Sequence, residues 1–525
     1  MPNEAPPSLI LLPGGLCVSG VSAWAARLAS SLAERGSRVT LALFANTSPG
    51  PSLDFALSDN VRVLDLTHLP PVEWCQGNIS AYMPAIMREA LELSRDEPVC
   101  VLPNLHGDCF GIAASLAVSL GNQVRIVGTA HSDNIYDEKL LTHYEPMLSK
   151  LVCVSDTLES KVRDMLTMRR LDIANAPYGV DVPDALAARS PIADRPIRLI
   201  YAGRFEHRQK RVAALPLLSG LLTEQSIAHE MTIVGEGPAK QDLIESCQGC
   251  EHVTLRGKAD QNELANLLST HDAFVLPSRY EGLSIAMLEA LAQGCVPVVT
   301  RSESGTEQAI THCETGMIAD VAPDADEYEA ARGLAACISN LLTKDTTAMS
   351  ERAHADAKTR FSLSVHTDTW ADVLLNAANS ESRFWPASRP CAFTGGGGPS
   401  GSVPTGGAER LREVLAQLAG RPVVIHGGGR HTLDLAPLLA NTDVRAIADD
   451  DPARFGEKLL GWRIIDPESA AMTGATDVVI SSAMHEEAIW NRRGVYEEQG
   501  LRVHRLYHAA RVETKPSLAA SAISP

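Results

Sequence analysis

Short apolar runs alternate with helical segments along most of this chain, and that alternation narrows the fold to parallel sheets wound with helices. A first series places strands at residues 8–12, 39–44, 61–64, 99–102, 124–127 and 151–154, with a helix over 21–35 after the first strand. A second series opens at 197–201 and continues through 231–234, 253–255, 273–276 and 296–299. The two series join near residue 190. Residues 361–377 read as an amphipathic closing helix with Trp370 on its apolar side.

At 525 residues and 45% hydrophobic content, the chain can support three domains with ample cores. The pattern divides it into an N-terminal domain (1–190), a second domain (191–378), a linker rich in Gly, Pro and Ser (379–407) and a third domain (408–525). Gly395–Gly398 and Gly406–Gly407 carry the linker chemistry. The third domain shows strands at 422–426, 446–449 and 477–481, the first of which runs into Gly427-Gly428-Gly429.

A net charge of −18 argues against nucleic acid as a partner and requires that any bound phosphate meet a local cationic pocket. The eleven cysteines are odd in number and often sit inside apolar runs, as reduced thiols of a cytoplasmic protein do. Cys247 and Cys250 lie near His252, but no second such pair accompanies them, and no metal site is expected. The N-terminus has no basic region, and no stretch has the length of a membrane span. Lys161, Arg163, Arg169 and Arg170 flank apolar residues, a pattern shared by solvated faces and by helices that lie on a membrane.

The densest chemical signal is the run from Arg279 to Ala290. It sets Glu281 in a loop after a strand and Glu289 two turns into a helix, with up to about 12 Å between them along the axis. The amides of Leu283, Ser284 and Ile285, following Gly282, fall at the positive end of that helix, where a diphosphate is stabilised. A lone pair of glutamates at this spacing is usually a loop carboxylate and a solvated helix position. Here strands on both sides put the pair where open α/β sheets bind ligands. Arg204 follows the first strand of the second series, with Lys210 and Arg211 in the same loop, so cations are available for a diphosphate. The loop Gly235-Glu236-Gly237 serves equally for ligand approach or for a tight turn. In the first series, Gly14 and Gly15 precede a helix, and His106 and His131 fall at strand ends. A neutral His131 imidazole there is placed to donate to a sugar hydroxyl.

With these residues in place the chain resembles a retaining glycosyltransferase of family 4, of the GT-B fold (glycosyl transferases group 1), over about residues 8–378. The resemblance rests on Gly14-Gly15, Ala130-His131, Cys153–Ser155, Asn175–Asp181, Gly203-Arg204 with Gln209-Lys210, Val234–Pro238 and Glu281 through Glu289. It implies an α/β fold of two facing Rossmann-like domains, here followed by a third, small one. It implies that Arg204 and Lys210 bind the donor diphosphate, Glu281 contacts the transferred sugar, Glu289 binds the ribose and His131 lies beside the sugar. A UDP-, GDP- or other nucleotide sugar is then the substrate, no cofactor is required, and the acceptor is a saccharide or a lipid-linked glycan. The expected location is cytoplasmic, extending to the inner face of the membrane. Two departures stand out: Arg211 replaces the small residue, often glycine, that usually follows the lysine, and Tyr178 replaces a polar or small one. A sugar-nucleotide epimerase, a phosphorylase or a non-catalytic nucleotide-sugar scaffold shares the fold, although no lysine in a pyridoxal phosphate context is evident.

In the third domain, Gly427-Gly428-Gly429 resembles a dinucleotide-binding turn, and Asp449 stands where a ribose-binding acid would. Thr432 occupies the third fingerprint position in place of glycine. A nucleotide ligand and a docking or oligomerisation role are both open for this domain.

Overall fold

The computed structural model describes residues 4–14, 19–45, 55–69, 71–72, 79–133, 135–302, 305–322, 324–386, 407–418, 420–439, 442–459, 461–482 and 486–506. The chain divides into two compact units, 1–399 and 400–525. Most of the expected linker, residues 387–406, lies outside the described residues.

The first unit holds two sheets. One comprises β1 (Ser8–Leu12), β2 (Val39–Phe44), β3 (Arg62–Leu66), β4 (Val99–Pro103), β5 (Val124–Ala130), β6 (Leu148–Cys153) and β7 (Ile173–Asn175), in the order β3-β2-β1-β4-β5-β6-β7. The other comprises β8 (Ile197–Ala202), β9 (His229–Val234), β10 (Val253–Arg256), β11 (Ala273–Leu276), β12 (Val296–Thr300) and β13 (Met317–Ala319), in the order β10-β9-β8-β11-β12-β13. Every described pairing in both sheets is parallel. The central strands are mostly apolar because helices cover both faces, and β1, β4 and β11 are buried at every position. Strand order reverses between β1 and β4, and again between β8 and β11. Crevices form at these switch points, beyond the carboxyl ends of the strands. This is the expected fold class of paired Rossmann-like domains.

Two local differences from the sequence reading matter for the site. Strand β5 continues through Thr129 and Ala130 rather than ending at 127, so His131 is the first residue past a buried strand. The helix after Glu281 spans Ile285–Ala292, which makes Glu289 its fifth residue, just over one turn in rather than two. Ser284 caps it by accepting from the Met287 amide at 3.4 Å.

The closing helix, Leu363–Ala378, returns to the first sheet. Trp370, fully buried, meets Trp24 of the Gly20–Glu34 helix at 5.4 Å between ring centroids. The chain crosses between the sheets twice, side by side. Val180 donates to the Phe361 carbonyl (2.8 Å), and Leu363 donates back to Val180 (3.1 Å). Gly179 passes so close to His366 that a Cβ there would lie 2.6 Å from the His366 Cβ.

The second unit carries β14 (Val423–His426), β15 (Val444–Ala448), β16 (Lys458–Leu459), β17 (Trp462–Ile465), β18 (Asp477–Ile480) and β19 (Arg502–His504), in the order β16-β17-β15-β14-β18-β19. Among the described residues, the β16–β17 pairing is antiparallel and the others are parallel. Thr432, at the third fingerprint position, is fully buried, and its hydroxyl donates to the carbonyls of Gly427 and of Ser481, the latter at 3.2 Å. The hydroxyl therefore closes the turn where a glycine would have let the helix approach. Among the described residues, no helix is long and apolar enough to cross a membrane. Lys161, Arg163, Arg169 and Arg170 are ion-paired with Asp133, Glu159, Glu145 and Asp164 respectively, so this basic cluster is locally neutralised.

Candidate active site

Strands β8 and β11 are hydrogen-bonded neighbours, and the loops that leave their carboxyl ends carry the two groups of charged residues singled out from the sequence. The β8 loop begins at Gly203-Arg204. Arg204 is solvent-exposed, and among the described residues its guanidinium has no hydrogen bond or ion pair. Its carbonyl accepts from the Tyr201 hydroxyl at 2.9 Å, which sets the loop's exit from the sheet. The next turn is organised by Glu206, whose carboxylate accepts from the amides of Arg208 (2.7 Å), Gln209 (2.6 Å) and Lys210 (3.3 Å). Gly235 and Gly237 support this loop from below. A Cβ on Gly235 would lie 1.9 Å from the Gly203 carbonyl oxygen, and one on Gly237 would lie 2.3 Å from that of Phe205. Close backbone packing, rather than ligand approach, accounts for both glycines.

Lys210 and Glu281 meet as an ion pair, with the side chains 17% and 7% exposed. The sequence reading sends the lysine to phosphate and the glutamate to sugar; the structure shows them bonded to each other. The loops that carry them are joined on either side, the Arg279 backbone amide donating to the Gln209 carbonyl (2.8 Å) and the Gln209 side-chain Nε2 to the Tyr280 carbonyl (3.2 Å). Gly282, next in line, has no room for a side chain. A Cβ there would lie 2.1 Å from the His131 carbonyl oxygen, and the Gly282 carbonyl accepts from the Gly305 amide at 2.9 Å. Gly282 thus brings the end of β5 and the Glu281 loop into backbone contact across the crevice. Past Leu283 and Ser284, the amides of Ile285 and Ala286 open the helix without acceptors inside it.

The first domain faces this helix with its own helix terminus. Gly20 begins the Gly20–Glu34 helix, capped by Ser19, and a Cβ on Gly20 would sit 3.7 Å from the Ile285 Cδ1. Gly14, two residues past β1, has φ +74°; Gly15 lies outside the described residues. Two turns down from Gly20, Arg27 reaches across to pair with Glu289, with side chains 8% and 18% exposed. With the Gln261 amide oriented to satisfy both its ends, its oxygen also accepts from Arg27, at 3.0 and 2.7 Å. The carboxylate expected to hold a ribose is here held by a cation from the opposite domain.

His131 is buried, and both ring nitrogens are engaged. The Asn104 Nδ2 donates to the carbonyls of Leu11 (3.2 Å) and Leu102 (3.0 Å), so its Oδ1 accepts from the His131 Nε2–H at 2.9 Å. The Tyr178 hydroxyl then donates to Nδ1 at 2.9 Å. This chain specifies the neutral Nε2–H tautomer. Burial pushes the imidazole down to about 3, so it stays neutral at physiological pH. A bond from His131 to a ligand hydroxyl requires Asn104 or Tyr178 to give way. His106, the other strand-end histidine, caps the Gly107–Leu120 helix by accepting from the Asp108 amide (3.2 Å), and burial lowers it to about 4.

Arg27, Asn104 and Gln261 are the site neighbours that the sequence did not reveal, and Tyr178, noted as a departure, proves to be the partner of His131. Arg27 does leave a signal, because it interrupts the apolar stretch Trp24-Ala25-Ala26-Arg27-Leu28-Ala29 on a helix that is otherwise buried there. Among the described residues, no group of three or more His, Cys, Asp or Glu side chains is placed to hold a metal.

In the second unit, the Gly428 amide donates to the Asp449 carboxylate (2.8 Å), which also pairs with Arg454 (3.0 Å). A cavity of about 350 Å³ opens beside the carboxyl ends of β14, β15 and β17, lined by His426, Asp450, Phe455, Asp466, Arg492 and Tyr496 among others. The Tyr496 hydroxyl lies 2.6 Å from the His426 Nδ1, and Arg492 pairs with Asp450.

Residues 184–354 match the family model described as Glycosyl transferases group 1. The chain is 33% identical over 221 residues to the glycogen synthase of Mycobacterium tuberculosis, covering 39% of this chain and 48% of that protein. It is 27% identical over 241 residues to the lipopolysaccharide core biosynthesis glycosyltransferase LpsD of Rhizobium meliloti, covering 44% of this chain and 64% of that one. The chain thus spans about half the length of the first of these relatives. Among solved structures, it is similar to sucrose-phosphate synthase from Thermosynechococcus elongatus (TM-score 0.55, 17% identity, 70% of this chain and 96% of that one). It is also similar to Anabaena HepE in complex with UDP-glucose (TM-score 0.54, 15% identity, 70% and 99%). At these identities the likeness establishes the fold, which is GT-B.

Proposed function

We propose that this chain, with its glycosyl transferases group 1 domain on a GT-B fold, transfers a sugar from a nucleotide donor to a hydroxyl of a saccharide or lipid-linked glycan, with retention of anomeric configuration. One observation carries the reading. Lys210 and Glu281 meet from the loops that follow two adjacent parallel strands; the first loop also carries the exposed Arg204, and the second leads into the Ile285–Ala292 helix, with Glu289 one turn further on. Cations and helix amides at one spot stabilise a diphosphate, and a carboxylate on either side accepts hydroxyls from sugar and ribose.

In this reading the donor diphosphate draws Lys210 away from Glu281, and the transferred sugar takes the place of that cation at the carboxylate. Arg27 yields or shares Glu289 as the ribose hydroxyls arrive. The bond from the anomeric carbon to the leaving phosphate oxygen breaks, and the acceptor oxygen forms its bond on the same face. The acceptor proton passes to the departing diphosphate. Catalysis rests on the charge that develops there, met by Arg204, Lys210 and the helix amides. His131 acts as a neutral wall beside the sugar, its carbonyl packed on Gly282. The enzyme is read as cytoplasmic, working at the inner face of the membrane when its acceptor is lipid-linked.

A thermal-shift panel of UDP-, GDP-, ADP- and dTDP-sugars tests the donor, since a true donor stabilises the fold by mass action. An inverted product configuration, read from NMR coupling constants, would rule out retention. A chain that no nucleotide sugar stabilises would rule out the function.

A further inference from the structure

Arg211 occupies a position where the resembling family has a small residue, and its backbone shows why: φ is +45°, in the left-handed region that glycine enters without steric cost. An arginine that persists there must be held by its side chain. Its guanidinium is fully buried, and four hydrogen bonds account for its setting. Nε donates to the Pro277 carbonyl (2.6 Å), Nη1 to that of Ala325 (3.1 Å), and Nη2 to the Ser278 carbonyl and the Thr300 hydroxyl (3.2 Å each). All four acceptors are neutral, so the cation is solvated by carbonyls and a hydroxyl as a bound ion would be. Burial lowers its pKa to about 10, which still leaves it charged at neutral pH.

These contacts tie together three strand ends beneath the site. Arg211 leaves the β8 loop, Pro277 and Ser278 follow β11, and Thr300 ends β12. Lys210 precedes Arg211 directly, and Glu281 follows Ser278 by three residues. The Thr300 hydroxyl also donates to Ser278 (2.7 Å), so that carbonyl is fixed twice. We infer that Arg211 is a positioning residue that sets Lys210 against the diphosphate and Glu281 against the sugar, a function a glycine at this position leaves to the backbone alone. This inference rests on the donor-binding reading of Lys210 and Glu281.

A double-mutant cycle on the full chain tests it, with affinity for UDP, GDP, ADP and dTDP measured by calorimetry and the tightest binder followed. Arg211→Met keeps volume and removes the fork. It is expected to weaken binding at least tenfold when Lys210 is present, and less than twofold in the Lys210→Ala background, because Arg211 acts through Lys210. A purely structural role predicts equal losses in both backgrounds, and that result, or no loss in either, overturns the inference. Should Arg211→Met not fold, Thr300→Val removes one acceptor and is expected to weaken binding two- to fivefold with the same dependence on Lys210; an additive loss again overturns it. A wild-type chain that binds none of the four nucleotides instead defeats the donor-binding reading itself, and this inference with it.

Discussion

Two strand-to-helix turns of this chain carry glycines, one after β11 at Gly282 and one after β14 at Gly427–Gly429, and from sequence alone each presents a phosphate-binding face. Their surroundings differ. After β11, Gly282 packs on the His131 backbone, and Glu281 just before it pairs with Lys210 of the β8 loop, which also carries the exposed Arg204. After β14, the Gly428 amide is already bonded to Asp449, and a Cβ at Gly428 would lie 2.6 Å from that carboxylate. The first turn meets a cation from a neighbouring loop, the second an acid from the end of a neighbouring strand. A glycine turn marks where a backbone can come close to something; the charges supplied by adjacent strands decide what that something is.

The sharpest way to break this comparison is Lys210→Ala. It removes a cation from the first turn and takes from the buried Glu281 carboxylate its ion pair with Lys210. Diphosphate affinity, measured by calorimetry, is expected to fall about 100-fold, roughly 2.7 kcal/mol. Unchanged affinity would remove the first turn's claim to phosphate.

Packing separates the turns next. Gly282→Ala forces a methyl group onto a carbonyl oxygen and is expected to destabilise the first unit by about 2 kcal/mol. Gly429→Ala meets nothing within 4 Å and is expected to cost less than about 0.5 kcal/mol. Equal melting temperatures for the two variants would contradict the close approach at Gly282.

The first unit also holds buried groups that resist protonation, one of them, His131, packed against the first turn. His131 is held at about 3 and His106 and His366 at about 4, each by burial, below the ordinary value of 6.5. The unfolded chain gains these protons as pH drops below 6.5 while the folded chain does not. Stability from all three is therefore full above 6.5 and declines toward about 4. Melting temperature should fall between pH 7 and 5, with net proton uptake on unfolding; a flat profile across that window would mean that these rings are not buried neutral.

Asp449→Ala carries the smallest expected effect, about 1 kcal/mol of stability in the second unit with diphosphate affinity at the first site unchanged. A gain of NAD binding by this variant would sharpen the comparison most, because it would show the second turn to be a phosphate site closed by its own carboxylate.

Most of the architecture was legible in the residues. Continuous apolar runs such as Ala273–Leu276 identify strands covered on both faces, and Gly and Pro punctuation separates them. Boundaries were less legible where polar residues continue a strand, as Thr129 does in β5. At the site, the placement of Arg204, Lys210 and Glu281 in loops after strands, and of Glu289 on the helix that follows, was readable from local pattern, although Glu289 lies one turn into that helix rather than two. Their partners were not readable in that way. Arg27 and Glu289 are 262 residues apart, and no local rule relates them.

The order of strands, loops and helices, and the chemical types that face the crevice, were determined by the sequence itself, because periodicity and turn chemistry act over a few residues. Tertiary structure alone decided that Lys210 bonds to Glu281, that Asn104 and Tyr178 fix the His131 tautomer, and that Asp449 fills the second glycine turn. Each of these depends on which strands become neighbours in a parallel sheet, and that is settled by burying helices on both of its faces rather than by any single stretch of chain.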